Sequence, residues 1–138
     1  MSQAEPRAIV AELRRLSPNA HAPYSGVHVA AAVETTDGRL CYGVNVENAA
    51  YPQGVCAEAS AISAAVTGGP TKIARVYVAA SLPETVWPCG GCRQKIFELA
   101  EAGCEVVAVT PEGEFERRTI EHLLPLGFRL EPKAGPRA

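Results

Sequence analysis

The chain has 138 residues and a mass of 14.5 kDa, which is room for one domain and one core. Hydrophobic residues make up 47% and charged residues 20%, values that exclude a disordered chain and a disulfide-stapled miniprotein. Lys and Arg number 13 against 15 Asp and Glu, for a formal net charge of -2, so no basic footprint for nucleic acid is expected. No apolar run approaches the roughly 18 residues of a membrane span. Met1 to Pro6 lacks the basic and then apolar pattern of a signal peptide. The five cysteines are therefore expected in a reducing, cytoplasmic setting, as free thiols, metal ligands or catalytic groups.

Pro6 to Leu16 carries Ile9, Val10, Leu13 and Leu16 at helical spacing, with Arg14 and Arg15 on the other face, and Ser17-Pro18-Asn19 ends it. His21 to Gly26 reads as a loop. Val27 to Thr35 and Arg39 to Glu47 are strand-like runs flanking Asp37-Gly38, a hairpin signal. Tyr51-Pro52-Gln53-Gly54 breaks the chain again. Cys56 to Val66 is rich in small residues, which suits a closely packed helix ended by Gly68-Gly69-Pro70. Ile73 to Ala80 is an apolar run expected as a buried strand. After a loop from Leu82 to Pro88, Cys92 to Ala102 is expected as a helix closed by Gly103. Cys104 to Val109 reads as a second buried strand, Thr110 to Gly113 as a turn, and Thr119 to Leu124 as a short helix or turn. The tail from Glu131, with two prolines, is expected to fray. This succession predicts an α/β domain over residues 1–138, one mixed sheet with helices on both faces.

Two clusters carry chemistry. Cys56-Ala57-Glu58 and Pro88-Cys89-Gly90-Gly91-Cys92 each open a predicted helix directly after a loop. Free main-chain N–H groups and the positive helix end stabilise a thiolate there. Two cysteines separated by two residues can share one metal ion, and Cys56 could supply a third sulfur. The fourth tetrahedral position would stay open, as in a catalytic zinc site. Glu58, two residues beyond Cys56, could then exchange a proton with a water there. A lone Cys-x-x-Cys is a weak signal; the two clusters together are a strong one. The zinc deaminase signature pairs His-x-Glu with Pro-Cys-x-x-Cys and admits three cysteines, with Cys56 here in the histidine position.

On these residues the chain resembles the small homotetrameric cytidine deaminases. The matching pieces are Pro23-Tyr24-Ser25, Val29 to Ala32, Gly43 to Asn48, Cys56-Ala57-Glu58, Pro88 to Gln94, and Leu123-Leu124-Pro125. The resemblance implies a three-layer α/β/α sandwich with a mixed sheet of about five strands. It implies one zinc ion per chain on Cys56, Cys89 and Cys92, with Glu58 as the proton carrier. Asn45 and Glu47 would hold the ribose hydroxyls, and the main chain around Ala57 and Pro88 would meet the pyrimidine edge. Tyr51 would help line the pocket, as would Phe128 from a neighbouring subunit of a homotetramer. The implied reaction is hydrolytic deamination of cytidine and 2′-deoxycytidine in pyrimidine salvage, on a free nucleoside, away from nucleic acid and membranes.

Two departures from the family pattern stand out. Val27 occupies the place where the family commonly has a Phe that stacks on the base. Ala59 follows Glu58 where the family often has an Arg, so the helix N-termini and Arg93 are expected to offset more of the thiolate charge. The first departure leaves open a modified cytosine nucleoside or a cytosine-bearing antibiotic as substrate. A reading of another class is a metal-binding or Cys-x-x-Cys redox module without catalysis, which leaves Cys56-Ala57-Glu58 unexplained. Cys41 and Cys104 read as small apolar packing residues. His21, His28 and His122 read as surface or packing groups, and Arg14-Arg15 and Arg117-Arg118 as solvated faces.

Overall fold

The computed structural model describes residues 6–133. Met1 to Glu5, part of the stretch read for a signal peptide, and positions 134–138 of the tail expected to fray lie outside the described residues. Among the described residues no helix is long and apolar enough to cross a membrane.

The helical spacing of Ile9, Val10 and Leu13 produces α1 (Pro6–Leu16), which buries those three side chains and keeps its arginines outside. The Asp37-Gly38 signal closes a hairpin of β1 (Val29–Thr35) and β2 (Leu40–Val44), and Gly38 takes the positive φ of +89° that the turn needs. The small-residue run forms α2 (Ala57–Thr67), and β3 (Ile73–Ala80) follows. Then come α3 (Gly90–Leu99), β4 (Ala100–Val109), β5 (Phe115–Thr119) and the single turn α4 (Ile120–Leu123). The sheet order is β2-β1-β3-β4-β5. Only β3 and β4 run parallel; the other three pairings are antiparallel.

Alternation along the strands divides the core into two layers. Ala31, Val33, Val76, Val78 and Val106 face α2, α3 and α4, meeting Ala61, Ile62, Ile96 and Ile120. Ala30, Ala32, Tyr77 and Val107 face the other way, onto Ile9 and Leu13 of α1. The result is the expected α/β/α sandwich on a five-stranded mixed sheet. Cys104 is buried and Cys41 half-buried, both as free thiols.

Several boundaries differ from the sequence reading: the hairpin strands are shorter than Val27 to Thr35 and Arg39 to Glu47, and β4 begins at Ala100 instead of Cys104. The third helix starts at Gly90, two residues earlier than Cys92, because Cys89 stands at its N-cap with extended backbone. It ends at Leu99 because Ala100 turns extended and pairs with Ile73. Gly103, with φ of +75°, then sits inside β4 at an irregularity of register instead of closing the helix. The strand β5 has no counterpart in the sequence reading. It lies at the edge of the sheet with Glu116, Arg117, Arg118 and Thr119 all exposed, so it carries no apolar alternation to find.

Candidate active site

Most of the candidate residues gather at one end of the sheet, where β1 begins, β2 ends and β3 ends. Val27 stands two residues before β1, Asn45 directly follows β2, and Trp87 to Cys89 close the loop that leaves β3. The N-termini of α2 and α3 point to the same place. They are brought there by close packing of small residues: a methyl group on Gly43 of β2 would lie 2.4 Å from the Ala61 nitrogen and 2.6 Å from the Ala57 oxygen. Only glycine allows α2 this close to the strand.

Cys56 and Cys89 are the N-cap residues of α2 and α3. Their thiols face each other, with Sγ atoms 4.0 Å apart. Cys92, one turn into α3 and buried, completes a trio whose sulfurs all lie within 4.8 Å of one another. Zinc bound tetrahedrally at about 2.3 Å from each sulfur places the sulfurs about 3.8 Å apart, so the trio fits that ion with a small contraction. Among the described residues no fourth His, Cys, Asp or Glu joins the group, which leaves one coordination position to a small ligand. Burial raises the Cys56 thiol, helped by the neighbouring Cys89 charge, and raises Cys92. The main-chain N–H of Cys92 lowers Cys89, helped by its thiol, by Cys56 and by the N–H of Gly91. Three sulfurs that resist ionising together are a donor set suited to a dication.

Glu58, the second residue of α2, is 5% exposed, has no cationic partner among the described residues, and lines the same cleft as Cys56 and Cys89. Burial pushes its carboxyl above the usual carboxylate range. Such a group holds a proton more tightly than a solvated carboxyl does. The cleft has a volume of about 270 Å³ and also includes Val27, Asn45, Glu47 and Ala57.

The polar pair after β2 is already employed in shaping this cleft. Asn45 accepts from the Val29 N–H at 2.8 Å and donates to the Val27 carbonyl at 2.9 Å. Glu47 accepts from the main-chain N–H groups of Tyr24 and Ser25, at 3.0 and 3.2 Å, and from the Ser25 hydroxyl. The Ser25 hydroxyl foremost, with those N–H groups, holds the Glu47 carboxyl below its ordinary value. Tyr51, 81% exposed, lines an adjoining hollow with Tyr24, Ser25, Glu47 and Asn48. Phe128 is absent from the cleft of its own chain. Its ring is 65% exposed, and its main chain is fixed by Gln94, which donates to the Phe128 carbonyl at 2.9 Å and accepts its N–H at 3.1 Å. Arg93 does not address the sulfurs. Its Nε donates to the Pro88 carbonyl at 2.7 Å and its Nη1 to the Leu123 carbonyl at 3.1 Å, so it braces the loop that carries Cys89.

A sequence profile of the cytidine and deoxycytidylate deaminase zinc-binding region matches residues 5–109. The chain belongs to this deaminase family. It is 36% identical over 123 residues to the cytidine deaminase of Sporosarcina psychrophila, covering 89% of this chain and 90% of that one. It is 34% identical to the cytidine deaminase of Halalkalibacterium halodurans over 89% of this chain and 93% of that one. The fold matches the crystal structure of cytidine deaminase from Burkholderia pseudomallei with a TM-score of 0.81 and 36% identity, over 88% of this chain and 97% of that one. Zinc is the cofactor of the family's binding region, and the three clustered sulfurs are the place in this deaminase that fits it.

Four lining residues of the cleft carry no role in the sequence reading: Ser25 and Val29, and the pair Val86 and Trp87. The available signal was an apolar pair directly before Pro88-Cys89, but a loop has no periodicity to say which way its side chains point. Arg118, read as a solvated charge, is exposed yet lies over the Trp87 ring, 5.5 Å from its centre.

Proposed function

We propose that this deaminase converts cytidine and 2′-deoxycytidine to uridine and 2′-deoxyuridine, with Glu58 as its proton carrier and Cys56, Cys89 and Cys92 as its zinc ligands. The observation that carries the reading is a buried carboxyl in one cleft with clustered sulfurs. Zinc, when bound, supplies an activated water near neutral pH. Glu58 accepts a proton from the attacking water and delivers it to ring nitrogen N3. The water oxygen bonds to C4, Glu58 takes the second proton from that oxygen and hands it to the amine, and the C4–N bond breaks, so water and cytidine yield uridine and ammonia. The main chain around Ala57 and Pro88 meets the pyrimidine edge, and Tyr51 helps line the pocket.

Asn45 keeps one amide N–H and one lone pair beyond the bonds it makes within the chain, and Glu47 keeps acceptor capacity. These are the groups we assign to the sugar hydroxyls. The ionised Glu47 also disfavours a phosphate beside the ribose, so the substrate is a free nucleoside and not a polymer. We assign the active form to a homotetramer, because the exposed Phe128 ring is fixed by Gln94 without reaching its own cleft. The free thiols fit a cytoplasmic location.

The test is Glu58→Gln. Purified protein should keep one zinc per chain and lose at least a thousandfold in the conversion of cytidine to uridine, followed by absorbance. Near-normal turnover in that variant would overturn the assignment.

A further inference from the structure

We propose that Trp87 is the aromatic surface against which the pyrimidine ring packs, and that it is a specificity-determining residue of this deaminase. The proposal rests on the reading of the cleft given above. Val27, an aliphatic residue, lines the cleft, and Trp87 lines the same cleft together with Cys56, Glu58 and Cys89. Val27 offers no ring face, and among the described residues of one chain Trp87 is the one aromatic residue lining this cleft. An indole presents a larger flat surface than any other side chain, and it suits a base that must be held by its faces.

The position is also rigid. Trp87 precedes Pro88, which restricts its backbone to extended conformations. The Pro88 carbonyl is held by Arg93 at 2.7 Å. The indole packs against the core layer beneath α2 and α3, and the Arg118 guanidinium of β5 lies over it at 5.5 Å. A half-buried ring locked between the core, a cation and a cleft loses little freedom when a ligand arrives.

Trp87 is the one tryptophan of the chain, so its fluorescence reports on this position alone. Uridine, the product, is the probe because it is not turned over. Titration of the zinc-loaded protein with uridine should change the emission to saturation, with a midpoint equal to the inhibition constant of uridine against cytidine. Trp87→Leu should raise KM for cytidine roughly tenfold, within the range carried by base–aromatic stacking. Its kcat should stay within about twofold and its zinc at one per chain, and Trp87→Phe should restore most of the loss. The proposal is overturned if uridine inhibits without altering the emission, or if Trp87→Leu leaves KM unchanged. Should Trp87→Leu lose its zinc, the uridine titration of the unaltered protein decides alone. Failure of the unaltered protein to deaminate cytidine at all would instead sink the reading of the cleft.

Discussion

Gln94 and Phe128 form a closed pair, the side-chain amide of one donating to and accepting from the main chain of the other at 2.9 and 3.1 Å. The amide satisfies both main-chain groups of a residue whose ring is left 65% exposed. Leu126 and Leu130, on either side, are 96% and 77% exposed. An exposed apolar segment held this firmly is built to be covered by another surface.

If that surface is a second copy's cleft, the site is shared and can be complemented. Phe128→Ala should fold, keep its zinc and lose roughly five- to a hundredfold in kcat/KM for cytidine, the range expected for one stacked ring. Glu58→Gln should be inactive by itself. Unfolding the two variants together and refolding them as a mixture should restore part of the activity, because some sites then combine an intact Glu58 with an intact Phe128. No restoration in the mixture, or full activity in a particle of about 14.5 kDa by light scattering, would show that the ring serves only its own chain.

Metal retention should depend on each sulfur. Cys89→Ala leaves two of the three proposed ligands, and it removes the one thiol of the trio whose pKa is lowered. The variant should emerge from dialysis with far less than one zinc per chain and no measurable turnover. Cys104→Ala is the control, since that thiol is buried in the core layer away from the cluster. One tightly held zinc in Cys89→Ala would exclude Cys89 from the ligand set.

Packing at Gly43 links the sheet to the chemistry. A Cβ there would come within 2.4 to 2.7 Å of Ala61, Ala57 and Ser60, so Gly43→Ala must push α2 outward. Overpacking of this kind costs about 1–3 kcal/mol or more. For a domain of this size the melting temperature should fall by roughly 3–10 °C. Zinc affinity should fall with it, because α2 carries Cys56. Gly90→Ala, where a Cβ meets nothing within 4 Å, should melt within about 2 °C of the unaltered protein. Equal melting temperatures for both variants would mean that α2 does not lie this close to β2.

The Glu47 carboxyl is held below its ordinary value chiefly by the Ser25 hydroxyl, then by the main-chain N–H groups of Tyr24 and Ser25. Its depressed folded-state value means that the stabilisation is present above the unfolded value of 4.5 and disappears as pH falls through the lower folded one. Carboxyl-detected NMR should therefore place the Glu47 midpoint below 4.5. In Ser25→Ala the midpoint should move up, while the two main-chain donors keep it from rising fully. An unchanged midpoint in Ser25→Ala would remove the hydroxyl as the principal cause.

Much of this architecture was legible because its signals are local. Cys56-Ala57-Glu58 and Pro88-Cys89-Gly90-Gly91-Cys92 sit at the joints between loop and helix, where Gly and Pro mark the chain. The apolar run from Val106 to Val109 is buried in full, as a strand covered on both faces requires. What escaped depends on distant partners. Asn45 was legible as a polar candidate, yet its bonds to Val27 and Val29 span 18 and 16 residues. Arg93 was expected to steady the thiolates, but two carbonyls, one of them 30 residues away, claim its guanidinium. Trp87 lies in a loop, and β5 shows the pattern of a solvated edge, so neither carries a period from which its role could be read.

Val27 and Trp87 together make a prediction that neither makes alone. Both line a cleft of about 270 Å³, and a ring added at Val27 must share that space with the indole. With Trp87 present, Val27→Phe should change KM for cytidine by less than about threefold, since an aromatic surface is already in place. The same substitution should sharply reduce kcat/KM for pyrimidines with a bulky C5 group, because phenylalanine fills room that valine leaves open. With Trp87→Leu as background, Val27→Phe should instead lower KM several-fold, returning a ring to the cleft. The two changes are thus expected to be strongly non-additive, as for residues in one pocket. Kinetics of the two single variants and the double variant on cytidine and one C5-substituted analogue measure the coupling. Simple additivity on cytidine, with an unchanged analogue-to-cytidine ratio in Val27→Phe, would show that these side chains do not meet the same ring.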